Sequence, residues 1–113
     1  MGEARKMELY RDPSQSAERR ADDLIGRMTT EEKAAQLAGR FPFSLIGPTG
    51  LDPDKLQNQL RYGVGHLSGL TNMFPSDAAS LVSLVNVIQQ YLVEDTRLGV
   101  PALGHSEALS GLL

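Results

Sequence analysis

Thr96-Arg97-Leu98-Gly99-Val100-Pro101-Ala102-Leu103-Gly104-His105-Ser106-Glu107-Ala108-Leu109-Ser110-Gly111 is the stretch that decides the fold. It reads as a helix end, a tight turn at Gly99, an uncharged strand from Val100 to His105, and a carboxylate just past it. Pro101 is tolerated at a strand start, where a missing ladder donor costs little. A strand without charge suits a sheet covered on both faces. An acid beyond the C-terminal end of a parallel strand stands where α/β barrels carry their working groups. A complete barrel needs about 250 residues. The chain has 113 and stops at Leu113, soon after this acid, so the expected barrel is incomplete.

Working back from that stretch, Asp77 or Ser76 caps a long helix running to about Asp95. Ala78, Leu81, Val82, Val85, Ile88, Leu92 and Val93 give it a wide apolar face, as a helix lying on a sheet requires. Val64-Gly65-His66-Leu67-Ser68 before it reads as another short strand, followed by a loop from Gly69 to Pro75. Strand, long helix and strand make one parallel crossover unit. Such a unit alone leaves both strand edges unpaired and needs neighbours.

The first half reads as a helical lead-in. Residues 1–15 are expected as a loose N-terminal arm, with a turn at Asp12-Pro13. Ser16 caps a first helix, in which Ala17, Ala21, Leu24, Ile25 and Met28 form an apolar stripe. Thr29 and Glu32 have the spacing of a capping box. A short second helix is expected to reach Ala38, with Leu37 inward and Gly39 left-handed at its end. Residues 39 to 51 read as loop. Asp52-Pro53 opens a third helix, with Leu56 and Leu60 inward and Gly63 at its end. The expected fold class is therefore α/β: an incomplete (β/α)8 TIM barrel, with a lead-in over residues 16–62 and one strand–helix–strand unit over residues 63–113.

Composition narrows the function. Hydrophobic residues make up 41% and charged residues 22%, with a net charge of -3, as in an ordinary globular protein. No basic stripe is present, so no nucleic-acid partner is expected. No run approaches the ~18 apolar residues of a membrane span. The polar N-terminus lacks the apolar core of a signal peptide, which points to the cytoplasm. With no cysteine, thiol catalysis and disulfides are excluded. The two histidines, His66 and His105, lie far apart in sequence, so no metal site and no cofactor are expected.

Glu107 is the candidate functional residue. A carboxylate there suits hydrogen bonds from sugar hydroxyls, acid–base work or a metal, and it equally suits a surface loop or a helix start. His105 and Ser106 do not form a triad with it, because neighbours on an extended chain point to opposite sides. His105 reads as a packing or pocket-wall residue. His66, on the other strand of the unit, faces the same end and reads as structural. Asp22-Asp23, Glu31-Glu32 and Glu94-Asp95 are helix neighbours that diverge, not a pair flanking one bond. Gly63 and Gly65 lack the rest of a phosphate-binding loop.

Three segments together resemble the N-terminal part of glycoside hydrolase family 3, the β-glucosidase and β-xylosidase family. They are Tyr10-Arg11-Asp12-Pro13 through Ala21-Asp22-Asp23-Leu24-Ile25 and Met28-Thr29-Thr30-Glu31-Glu32-Lys33; Tyr62-Gly63-Val64-Gly65-His66-Leu67-Ser68; and Asn86, Gln89, Leu92-Val93-Glu94, Thr96-Arg97-Leu98-Gly99-Val100-Pro101 and His105-Ser106-Glu107-Ala108-Leu109-Ser110-Gly111. The resemblance implies a retaining hydrolase of terminal β-linked glucosyl or xylosyl groups, with a carbohydrate substrate. It implies that Glu107 binds hydroxyls of the sugar in the −1 subsite. The family's nucleophile and acid/base lie further along, so no catalytic residue is expected here and the chain alone is expected to be inactive. Ser106 stands where many relatives carry Glu, and supplies no charge. The competing expectation is a stand-alone, mainly helical interaction module.

Overall fold

The computed structural model describes residues 7–70 and 77–106. Helix α1 spans Ala17–Arg27, α2 Thr30–Gln36, α3 Pro53–Leu60 and α4 Ala78–Asp95. Five two-residue strands accompany them: β1 Gly39–Arg40, β2 Ile46–Gly47, β3 Gly50–Leu51, β4 His66–Leu67 and β5 Leu103–Gly104. Strands β1, β4 and β5 form a parallel sheet in that order, while β2 and β3 form a small antiparallel hairpin.

The helices start where their side chains can satisfy free backbone donors. Ser16 accepts from the Arg19 N–H, Asp52 from those of Asp54 and Lys55, and Asp77 from that of Ser80. Thr29 accepts from the Glu32 N–H at 3.2 Å. The expected capping box is only half made. The Glu32 carboxylate takes the Thr29 hydroxyl at 3.3 Å and the Arg97 guanidinium instead of a backbone N–H.

The strand–helix–strand unit forms as expected: β4 and β5 pair in parallel, with α4 between them in the chain. Four expectations are corrected. Residues 39 to 51 are not all loop, because β1 lies there and pairs with β4, so β4 is central. Leu37 points outward, at 90% exposed. Gly39 is a strand residue, not a left-handed stop. Helix α2 closes with tight bonds from the Leu37 N–H to the Ala34 carbonyl and from Ala38 to Ala35, which satisfy the last carbonyls without a left-handed residue. Lastly, residues 8–11 are no loose arm. A 3-10 turn over Leu9–Arg11 buries Tyr10, whose N–H donates to Asp23.

The core gathers Leu45, Leu56, Leu60, Val64, Leu67, Ile88, Leu92 and Ala102. It lies under one face of the parallel sheet, between α3 and α4. Only Ile88 and Leu92 of the long α4 face are fully buried, and Val82 and Val93 remain exposed. The α1 stripe is likewise open, with no residue of that helix buried. Among the described residues, no helix is long and apolar enough to cross a membrane.

Candidate functional site

The site is built on the other face of the sheet. Side chains alternate along a strand, and Gly39, His66 and Leu103 share one cross-strand row. The ladder continues past the strand ends: Ser68 N–H donates to Arg40, His105 N–H to Leu67 and Leu70 N–H to His105. Period two therefore puts His66, Ser68, Leu103 and His105 on one face. Leu67, fully buried, points the opposite way into the core.

On this face the two imidazoles meet. The His66 and His105 ring centroids stand 5.6 Å apart at 75°, edge to face. His66 is half-buried and His105 exposed. A side chain at Gly39 would come within 3.1 Å of Ser68 Oγ, so the glycine keeps the neighbouring floor low. Leu103 is 68% exposed. The expectation that this strand is covered on both faces therefore fails: both residues of β5 are exposed.

Three devices fix the segment that leads into β5. Gln89 of α4 holds Ala102 at both backbone groups: its Nε2 donates to the Ala102 carbonyl at 2.7 Å, and its Oε1 accepts the Ala102 N–H at 2.9 Å. This amide acts as a one-residue strand partner where Pro101, without an N–H, breaks the ladder. Arg97 reaches back to the lead-in. Its Nε lies 2.8 Å from Glu32 Oε1, and its Nη2 donates to the Arg27 carbonyl at 2.7 Å. The third device is the Leu98 carbonyl, which accepts from the Tyr10 hydroxyl at 2.7 Å and Arg11 Nη2 at 2.9 Å.

Gly99 is required at that turn. Its φ is +66°, and a Cβ there would sit 2.7 Å from the Val93 carbonyl oxygen. Gly65 is required at the strand start. Its N–H donates to Ala35 and Ala38, and a Cβ would sit 1.9 Å from the Gln36 carbonyl oxygen.

Charges around Tyr10 are organised in the same way. Asp23 is held below the usual carboxylate range, first by its hydrogen bond from Arg27 and then by the Tyr10 N–H. Burial pushes the Tyr10 phenol up. Asp77 is lowered by the Ser80 N–H it caps.

Glu107, the residue singled out from sequence, lies outside the described residues, as do Ala108 to Gly111. The structure brings His66 and His105 into contact, at the one end of the unit where the sequence places both. Sequence reasoning missed the roles of Gln89, Arg97 and Glu32. Glu32, expected as half of a capping box, is buried. The signal was there in part, since a glutamine on the sheet-facing side of α4 needs a polar partner.

No family model matches the chain. Over 101 residues it is 36% identical to a protein named probable β-glucosidase C from Aspergillus flavus, covering 82% of this chain and 15% of that protein. The protein of the same name from Aspergillus oryzae is 35% identical over 101 residues, with the same coverage. A protein carrying a β-xylosidase name, from Formosa agariphila, is 30% identical over 108 residues, covering 91% of this chain and 14% of that one. Most of the chain is thus related to part of proteins with glycosidase names, and it spans only 14% to 15% of their length.

Proposed function

We propose that this chain is the opening of a glycoside hydrolase family 3 barrel, whose whole protein releases terminal β-linked glucosyl or xylosyl residues with retention. The observation that carries this reading is the relationship along 82% of the chain to a protein named as a β-glucosidase. The parallel order β1-β4-β5 supports it, since a (β/α)8 TIM barrel is built from such a sheet. Residues 16–62 are then the lead-in, and residues 63–113 the first strand–helix–strand unit.

Glu107 is the residue that holds hydroxyls of the −1 sugar. It follows β5 on the strand's C-terminal side, where barrel enzymes assemble their sites. Retaining hydrolysis needs two carboxyl groups about 5–5.5 Å apart. Glu107 is one binding carboxylate, and the nucleophile and acid/base lie in sequence beyond this chain. The 113 residues therefore have no glycosidase activity alone. An aryl β-glucoside and β-xyloside assay on the purified chain tests this: background rates are expected, and enzyme-dependent turnover would reject it.

A further inference from the structure

We propose that His66 and His105 form a two-imidazole site for a borderline divalent cation of the zinc, nickel and copper class. The inference does not depend on the glycosidase reading. It rests on where the fold puts the only two histidines of the chain. They stand on adjacent parallel strands, on the same sheet face, with ring centroids 5.6 Å apart. An imidazole nitrogen bonds zinc at about 2.0–2.1 Å, so two rings sharing one tetrahedral ion have centroids roughly 5–6 Å apart. The observed spacing falls within that range, and also within the range of ordinary edge-to-face ring packing.

The rings do not yet aim at a common point, because one presents its edge to the other's face. Rotation about the Cβ–Cγ bond corrects this at little cost, since that torsion is broad in histidine. The backbone needs no change. The His105 N–H is tied to Leu67 at 2.9 Å and the Leu103 N–H to Gly65 at 2.9 Å. The Gln89 clamp on Ala102 fixes the strand from the other side. The backbone at both rings is therefore hydrogen-bonded, and the ordering left to binding is that of the side chains.

Access and chemistry agree. Neither ring is buried. Neutral imidazole suits zinc, nickel and copper, whereas calcium and magnesium want oxygen ligands. Among the described residues, no three His, Asp or Glu side chains gather to close a site. An ion held by the two imidazoles alone would keep water in its remaining positions, one more than the three-ligand open zinc sites leave. The ion would bridge β4 and β5 at their C-terminal ends.

The test is zinc titration of the 113-residue chain, followed by calorimetry and by long-range 1H–15N spectra of the imidazoles. One ion per chain is expected, with both rings shifting in parallel along one binding curve. Copper(II) is expected to bind tighter than zinc or nickel. His66→Gln and His105→Gln should each lower zinc affinity at least ~10-fold. Rings that respond with separate curves would overturn the site. So would a single variant that keeps wild-type affinity. The wild-type spectra decide the matter even if one variant fails to fold.

Discussion

Gln89→Ala removes two hydrogen bonds at one stroke and leaves both backbone groups of Ala102 without their partner. Ala102 is 8% exposed, so water relieves the loss only in part. An unsatisfied buried donor or acceptor costs about 1–3 kcal/mol, and the two together give an expected destabilisation of about 2–4 kcal/mol. That is a large share of the roughly 5–15 kcal/mol that holds a domain together. Gln89→Glu isolates the donor. A carboxylate still accepts the Ala102 N–H but sets a second oxygen against the Ala102 carbonyl, so this variant is expected to be no more stable than alanine at neutral pH and to recover as the carboxyl takes up a proton it can donate. Gln90→Ala is the control. Gln90 sits on the exposed side of the same helix and donates to Glu94 at 3.1 Å, and its loss should stay within about 0.5 kcal/mol. Urea unfolding of the 113-residue chain, followed by far-ultraviolet circular dichroism, measures all three. Amide exchange at Ala102 should accelerate in Gln89→Ala beyond the change in global stability. A Gln89→Ala loss no larger than the Gln90→Ala loss would refute the clamp.

Other perturbations reach the remaining supports. Gly65→Ala drives a methyl group to within 1.9 Å of the Gln36 carbonyl oxygen, and should destabilise by about 3 kcal/mol or more, read as a lower urea midpoint. Arg97→Met leaves the Glu32 carboxylate, only 10% exposed, without its cation. Because Arg97 itself is 56% exposed, solvent screening limits the expected loss to about 1–2 kcal/mol, and a double-mutant cycle with Glu32→Gln should show positive coupling. Asp23 and Asp77 are both depressed in the folded chain. The unfolded state then binds protons more readily, so their contribution is complete above about pH 4 and disappears as pH falls through the folded values. Asp77→Asn should flatten the acid limb of the stability profile, and an unchanged limb would contradict the cap's part in it.

Much of the lead-in and crossover unit was legible because its signals are local. Ser16, Asp52 and Asp77 cap their helices by side-chain chemistry that acts within three residues. Gly63 and Gly99 adopt positive φ where the chain must turn. Strand β1 was hidden because Gly39–Arg40 is too short to show alternation, and its pairing with β4 is a tertiary event. Leu37 was misread because periodicity gives a helix face but not the residue at which the helix closes. The burial of Glu32 is not legible locally, because its partner Arg97 is 65 positions away in the chain. The His66–His105 pair depends on strand register, which no single segment specifies. Glu107 was found by its position after a strand, and its setting lies outside the described residues.

The proposed sugar-holding role of Glu107 is tested most directly in a chimera. The segment of the Aspergillus flavus relative that this chain matches, taken far enough to include the position of Glu107, is replaced by the residues of this chain, and kcat/KM is measured on an aryl β-glucoside. The account predicts turnover by the chimera. With Glu107→Ala, a lost charge-assisted hydrogen bond of about 1.5–3 kcal/mol should lower kcat/KM roughly 10- to 150-fold. A chimera that turns over substrate equally well with alanine at position 107 would contradict it.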